Sequence, residues 1–287
     1  MKKLVIFGVG LIGGSVALAL KKAGIDTRIV GVCRTRYSLD EALSLGIIDE
    51  AESDIQMAVS DADMIMLAAP VAQTTKILTS IQPFLSQHTV ITDAGSTKTD
   101  VIASAKAVLG DQFNQFVGGH PIAGAEKSGA AAALADLFVG KNVVITPTAD
   151  TNANAITAVN DLWRNCGANV STMSAEQHDA IFAAVSHLPH LLAFALVDDI
   201  ASRPNAAQLF SFAASGFRDF TRIAGSHPEM WRDISMANKQ ALLNEITAYE
   251  SELAMIKQLL INNDSVGLEA LFERASHARN QWAKSKQ

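Results

Sequence analysis

The sequence predicts an α/β domain with a mostly parallel sheet, followed by an all-α domain. Three observations carry that reading. Short β-rich runs alternate with amphipathic helical stretches over residues 1–172. A glycine-rich turn, Gly8-Val9-Gly10-Leu11-Ile12-Gly13, follows directly on the first β-rich run. Beyond Ser174, β-branched runs vanish and helical periodicity takes over.

The expected strands are Leu4–Phe7, Ile29–Cys33, Met64–Leu67, Val90–Thr92, Phe116–Gly118, Val143–Thr146 and Asn169–Thr172. Helices such as Ser15–Ala23 and Ala72–Ile81 lie between them, which is the pattern of βαβ units covered on both faces. In the second half, Leu242, Ile246, Tyr249, Leu253, Ile256 and Leu260 recur at spacings of four and three. That spacing marks the seam of one long helix, expected over Pro228–Asn262, that packs on another. A last helix is expected from Val266 to Lys284. The domains are therefore 1–172 and 173–287, with a shared cleft as the expected ligand site.

Composition narrows the function. The chain has 287 residues, 49% of them apolar and 18% charged, enough for two domains with cores of their own. A net charge of -6 without a basic run excludes nucleic acid as the main partner. Cys33 and Cys166 lack paired spacing, so neither a zinc site nor a disulfide framework is expected, and a reducing cytoplasm is the simplest setting. No stretch reads as long and apolar enough to span a membrane.

The glycine turn is GxGxxG between a strand and a helix, the fingerprint of a Rossmann-like dinucleotide-binding domain. Gly8 permits the tight turn, Gly10 admits a pyrophosphate close to the backbone, and Gly13 lets the helix pack on the strand. Gly10, Leu11 and Ile12 then present the helix N-terminus to the phosphates. At the end of the second strand, Cys33-Arg34-Thr35-Arg36 offers two guanidinium groups and a hydroxyl where NAD sites usually carry a carboxylate. Arg34, Thr35 and Arg36 suit a 2′-phosphate, so NADP is favoured over NAD. The alternative is that these arginines are solvated loop residues.

Three further clusters carry chemistry. His120, in Gly118-Gly119-His120-Pro121-Ile122-Ala123-Gly124, stands at a strand's carboxyl end, where it can take a hydroxyl proton or merely bond loop backbone. Ser96, in Asp93-Ala94-Gly95-Ser96-Thr97-Lys98, can orient His120 or the nicotinamide, or only cap a helix. His187 and His190, three apart, share a helical face, but no further ligand is spaced for a metal and none is expected. Arg218 and Arg222 lie in an aromatic, glycine-bounded segment that ends at Trp231. Such arginines suit carboxylate recognition, or pair locally, as Arg222 with Asp219.

Taken in order, GxGLIGGS, DAGSTK, GGHPIAGAEKSG, SHLPH and GFRDFTRIAGSHPEMW resemble the prephenate/arogenate dehydrogenase family as far as about residue 240. The resemblance implies an NAD(P)-dependent oxidative decarboxylation of a cyclohexadienol on the route to tyrosine. His120 would assist deprotonation of the ring 4-hydroxyl. Ser96 would orient it and touch the cofactor, and Arg222 would bind the ring carboxylate. His187 and His190 would line the site, with Glu126 and Trp231 at its entrance. The helical domain would form a homodimer. Two residues depart from the family pattern: Arg34 replaces the acid of NAD-specific members, and Ala125 replaces a common threonine. Two rivals keep the glycine turn. A β-hydroxyacid dehydrogenase would need a lysine in a glycine-rich helix start, which is not found after Ser174. A non-catalytic nucleotide sensor would have no need of His120, Ser96 and Arg222 together.

Overall fold

The computed structural model describes residues 1–124 and 128–284. The chain packs as two compact units, Met1–Lys239 and Gln240–Gln287. This packing boundary falls later than residue 172, because the helices up to Ala237 belong with the sheet.

The first unit holds an eight-stranded sheet: β1 (Lys3–Phe7), β2 (Arg28–Val32), β3 (Glu50–Ala51), β4 (Met64–Leu67), β5 (Val90–Asp93), β6 (Phe116–Pro121), β7 (Asn142–Thr146) and β8 (Asn169–Thr172). Their order is β3-β2-β1-β4-β5-β6-β7-β8. Every pairing is parallel except β6 with β7. Each of the seven expected strands is present. The short β3 was not foreseen, since two residues leave no periodicity to read.

The central strands β1 and β4 read as nearly unbroken apolar runs because both faces are covered. Leu4 and Ile6 point into one core with Leu20, Ile29, Met66 and Trp163. Val5 and Phe7 point into the other with Ile65, Leu78, Ile91 and Val101. Six helices connect the strands or lead back to the sheet: α1 (Leu11–Lys22), α2 (Arg36–Ser44), α3 (Ile55–Val59), α4 (Thr74–Ile81), α5 (Thr99–Leu109) and α6 (Ala153–Asn165). Helix α1 begins four residues earlier than the sequence suggested, since Gly13 and Gly14 sit inside it. Their low helix propensity is outweighed by close packing, of Gly13 on Ile6 of β1 and of Gly14 on Ala133 and Ile47.

After β8 come α7 (Ala175–Phe182), a π-helical turn (Ala183–His187), α8 (Leu188–Ala201), α9 (Ala206–Ser211), α10 (Ser215–Thr221) and α11 (Pro228–Ala237). The continuous helical run Ala175–Ala201 is long and apolar enough to cross a membrane by length and composition, with a mean hydropathy of 1.9 over an 18-residue window within it. That corrects the expectation that no such stretch exists. In the sequence Ser186, His187, Pro189 and His190 interrupt the apolar run, yet the helix continues through them. Its buried His178, Asp179 and His187 are hydrogen-bonded within the first unit.

The second unit consists of two long helices, α12 (Lys239–Ile261) and α13 (Ser265–Lys284), joined by a short turn. Asn263 turns the chain in the left-handed region (φ 52°), and Asp264 accepts from the Gly267 amide at 2.8 Å. The single helix expected over Pro228–Asn262 is broken between α11 and α12 at Asn238, a buried residue whose side chain bonds Asp179 and His187. Along the expected seam only Leu242 is buried, while Tyr249, Leu253 and Leu260 are exposed on the single chain.

Candidate active site

Strands β1, β4, β5 and β6 run in one direction, so their carboxyl ends line one edge of the sheet. The strand order turns back between β1 and β4, which is where open α/β sheets bind ligands. The glycine turn lies there. Gly8 has φ +96°, and a Cβ on it would stand 2.7 Å from the Ala68 carbonyl oxygen at the end of β4. A Cβ on Gly13 would collide with the Gly8 carbonyl. Gly10 is different, because a Cβ there meets nothing within 4 Å. No side chain caps α1 and its first turn holds no acid. Its free amides and positive dipole end, around Gly10, Leu11 and Ile12, thus fit a pyrophosphate.

The residues after β2 divide their tasks. The Cys33 thiol sits under the turn and accepts from the Val9 amide at 3.3 Å, and burial pushes its pKa up. Thr35 caps α2, accepting from the Ser38 amide at 3.3 Å. Arg36 pairs with Asp40 one helical turn on, at 2.9 Å. Arg34 is exposed at the strand end. Of the three residues expected at a 2′-phosphate, Thr35 and Arg36 have local partners, which leaves Arg34 as the cation carrying that expectation.

At the ends of β5 and β6 lies a polar cluster. Asp93 and Lys98 form an ion pair that is 2% and 0% exposed. Asp93 also accepts from the Gly95 and Gly119 amides at 2.8 and 2.9 Å, which ties the Ser96 loop to the strand bearing His120. Burying such a pair is tolerable only when its remaining hydrogen-bond capacity is met. His120 is half-buried, and its Nδ1 lies 2.8 Å from Nε2 of His178 on α7. His178 Nδ1 lies 2.8 Å from Asp179 Oδ1. Asp179 in turn accepts from the amides of Lys98 and Thr99, each at 2.8 Å, at the start of α5. Phe182, one turn after His178, stacks edge-on against His120 at 4.8 Å.

The same helical run brings His187 and His190 to Trp231. The His190 ring stacks on the indole at 3.6 Å, and the His187 ring meets it edge-on at 6.1 Å. Asn238 spans the Asp179 carbonyl and His187 Nδ1, at 2.8 and 3.1 Å.

Burial holds all four imidazoles neutral. Desolvation, then His178 and Lys98, keep His120 well below the usual histidine range. Desolvation lowers His178 against the opposing Asp179 hydrogen bond. It takes His187 down to about 4. His190 is lowered by burial and by the charge of Arg222, against a hydrogen bond to the Ser186 carbonyl. A neutral imidazole that is only half-buried, as His120 is, can accept a proton.

Of the residues singled out in the sequence, His120 and Ser96 lie on adjoining strand ends, and His187, His190 and Trp231 form one aromatic group with Arg222 close to it. The Nδ1 atom of His120 faces His178 rather than Ser96. Glu126 and Ala125 lie outside the described residues. No group of three or more His, Cys, Asp or Glu side chains among the described residues is arranged to hold a metal. Sequence reasoning missed His178, Asp179 and Asn238. The available signal was a His-Asp pair at an amphipathic helix start, with Phe182 four residues on.

A dinucleotide turn after β1 and a histidine at the carboxyl end of β6, on the same edge of a parallel sheet, define a nicotinamide-nucleotide dehydrogenase fold, and the comparisons make it particular. Residues 16–172 match the prephenate dehydrogenase nucleotide-binding domain, and residues 174–274 match the prephenate dehydrogenase dimerization domain. The chain is 38% identical to a prephenate dehydrogenase of Bacillus subtilis over 96% of its own length and 75% of that protein. It is 34% identical to a cyclohexadienyl dehydrogenase of Zymomonas mobilis, over 97% and 95% of the two chains. Among solved structures, prephenate dehydrogenase from A. aeolicus, in complex with hydroxyphenyl propionate and NAD+, superposes with a TM-score of 0.92 at 38% identity, covering 98% of each chain. The chain belongs to the prephenate dehydrogenase family.

Proposed function

We propose that this protein oxidatively decarboxylates prephenate, arogenate or both, passing hydride to NAD(P) and releasing 4-hydroxyphenylpyruvate or tyrosine. The observation that carries the reading is His120: a neutral imidazole at the carboxyl end of β6, on the same sheet edge as the glycine turn after β1. The bound nicotinamide supplies the hydride acceptor. The residues of this chain do the rest. His120 takes the proton of the ring hydroxyl as the carbinol carbon loses hydride. Ser96 touches the hydroxyl or the nicotinamide end of the site. Arg222 binds the carboxylate that leaves as carbon dioxide, and His187, His190, Trp231 and Glu126 line the substrate side. Aromatisation makes the step effectively irreversible, so the enzyme has only to position the ring and stabilise the changing charge.

Residues 1–172 hold the nucleotide, and residues 173–287 bind substrate and join two copies. A homodimer through α12 and α13 would cover the exposed Leu253, Leu260, Ile261 and Phe272. The match to a dimerization domain supports this reading. NADP is the favoured cofactor because Arg34, and no carboxylate, follows β2; the protein works in the cytoplasm. The test is His120→Asn, which keeps a hydrogen bond but not the base. Turnover should fall by about 10²- to 10⁴-fold with little change in nucleotide affinity. Near-normal turnover in the folded variant would remove His120 from the mechanism.

A further inference from the structure

We infer that His178 and Asp179 are a positioning pair that holds His120 in one tautomer, protonated on Nδ1, so that Nε2 is the nitrogen that receives the substrate proton. The inference rests on the proposed role of His120 as the proton acceptor and deepens it.

The assignment follows from counting donors inward from Asp179. Two backbone amides, those of Lys98 and Thr99, donate to its carboxylate at 2.8 Å each. Its pKa lies below the usual carboxylate value: burial opposes this, but the His178, Thr99 and Lys98 hydrogen bonds prevail. An ionised carboxylate only accepts. The contact at 2.8 Å between Asp179 Oδ1 and His178 Nδ1 therefore needs the proton on His178 Nδ1. A neutral imidazole carries one N–H, so His178 Nε2 is a lone pair. That lone pair faces His120 Nδ1 at 2.8 Å, and the bond exists only if His120 Nδ1 carries the proton. His120 is itself neutral, so its Nε2 is unprotonated. Each link is fixed by the one before it, and the first is fixed by two backbone amides that cannot change their roles.

The arrangement also serves the state after proton uptake. Protonated His120 keeps its Nδ1–H directed at His178, with Asp179 one ring further on. The charged groups buried around it are Lys98, Asp93 and Asp179, one cation against two anions. Of these, Lys98 acts against charge on the His120 ring, Asp93 is paired with Lys98, and the Asp179 carboxylate reaches the ring only through His178. Aspartate behind a catalytic histidine plays the same part in serine protease triads, by setting tautomer and orientation. Here a second imidazole is interposed.

The test reads the tautomer directly. In the full-length protein with ¹⁵N-labelled histidine, at neutral pH, His120 should show a protonated Nδ1 and an unprotonated Nε2. His178→Leu removes the acceptor. It should lower kcat by about ten- to a hundredfold while both KM values stay within about threefold, since His178 is placed to touch neither ligand. His178→Gln offers an amide oxygen to the same Nδ1–H and should recover a large part of the loss. The inference is overturned if His120 carries its proton on Nε2 in the intact protein. It is also overturned if folded Leu and Gln variants are equally impaired, or if the Leu variant turns over normally. Should His178→Leu fail to fold, the tautomer in the unaltered protein still decides. Full activity of His120→Asn would instead sink the base assignment, whatever the tautomer.

Discussion

Replacing Gly10 by alanine should separate cofactor binding from folding. Gly10 has φ -100° and ψ -151°, which alanine adopts without left-handed strain. A Cβ there meets no protein atom within 4 Å. Two opposing effects remain in the apo-protein. Alanine is a poorer N-cap than glycine, at a cost of about 0.5–1 kcal/mol. It also lowers the entropy of the unfolded chain, a gain of about 0.4–1 kcal/mol. The apo-protein should therefore unfold within about 1 kcal/mol of the parent. The bound state differs, because the open space above Gly10 is where a pyrophosphate must approach the α1 amides. A methyl group in that space should weaken the nucleotide at least about tenfold, or roughly 1.4 kcal/mol. Chemical denaturation without nucleotide and calorimetric titration with NADP and NAD read the two quantities separately. Unchanged affinity for both nucleotides would show that the pyrophosphate does not lie over this turn. Gly13→Ala is the contrasting control: its Cβ strikes the Gly8 carbonyl, so stability should fall before any ligand is added.

Three further outcomes are expected. Arg222→Ala should raise the substrate KM at least about tenfold through loss of a charge-assisted carboxylate pair, with nucleotide affinity unchanged; the reverse pattern in steady-state kinetics would refute the assignment. The unaltered protein should prefer NADP over NAD in kcat/KM, less so as salt rises, and Arg34→Asp should reverse the preference; a tenfold preference of the unaltered protein for NAD would show that Arg34 does not face the ribose. Stability should fall as pH drops from 6.5 towards 4, because the unfolded chain protonates His187 in that window while the folded protein, with a pKa of about 4, does not. The displacement from 6.5 to about 4 corresponds to roughly 3 kcal/mol, fully present above pH 6.5 and lost by the lower end. Urea midpoints measured across that range, flat in the parent and in His187→Asn alike, would contradict it.

The sheet was legible because its signals are local. Buried parallel strands are apolar throughout, and the glycine turn must follow β1 directly. His120 and Ser96 stood out for the same reason, His120 in the last residues of β6 and Ser96 just past β5. What stayed hidden depends on contacts between distant segments. Asp179 caps α5 from another helix, 80 residues away from Thr99. Asn238 looked like one more helical position, and only its bonds to Asp179 and His187 explain why α11 and α12 are separate helices. Thr35 and Arg36 looked like phosphate ligands, and their partners Ser38 and Asp40 become visible only once α2 is seen to begin there.

The π turn gives a further reason why the histidines did not read as one site. On a regular α-helix each residue advances by about 100°, so His190, twelve positions beyond His178, would stand roughly 120° away around the axis. A sequence-based wheel thus assigns the two to different faces. A π turn inserts one residue into the hydrogen-bond ladder, and everything after it is turned back by about one residue's rotation. With the π turn at Ala183–His187, His190 returns to within roughly 20° of His178 by the same count. His187 ends that turn, where Asn238 ties it to the Asp179 carbonyl. One helix thereby presents the pair behind His120 and the imidazole stacked on Trp231 from nearly the same side. Deleting one residue from 183–187, which would restore a regular α-helix there, would swing His190 away from Trp231 while leaving His178 and Asp179 in place. The substrate side of the site would then be lost without disturbing the base.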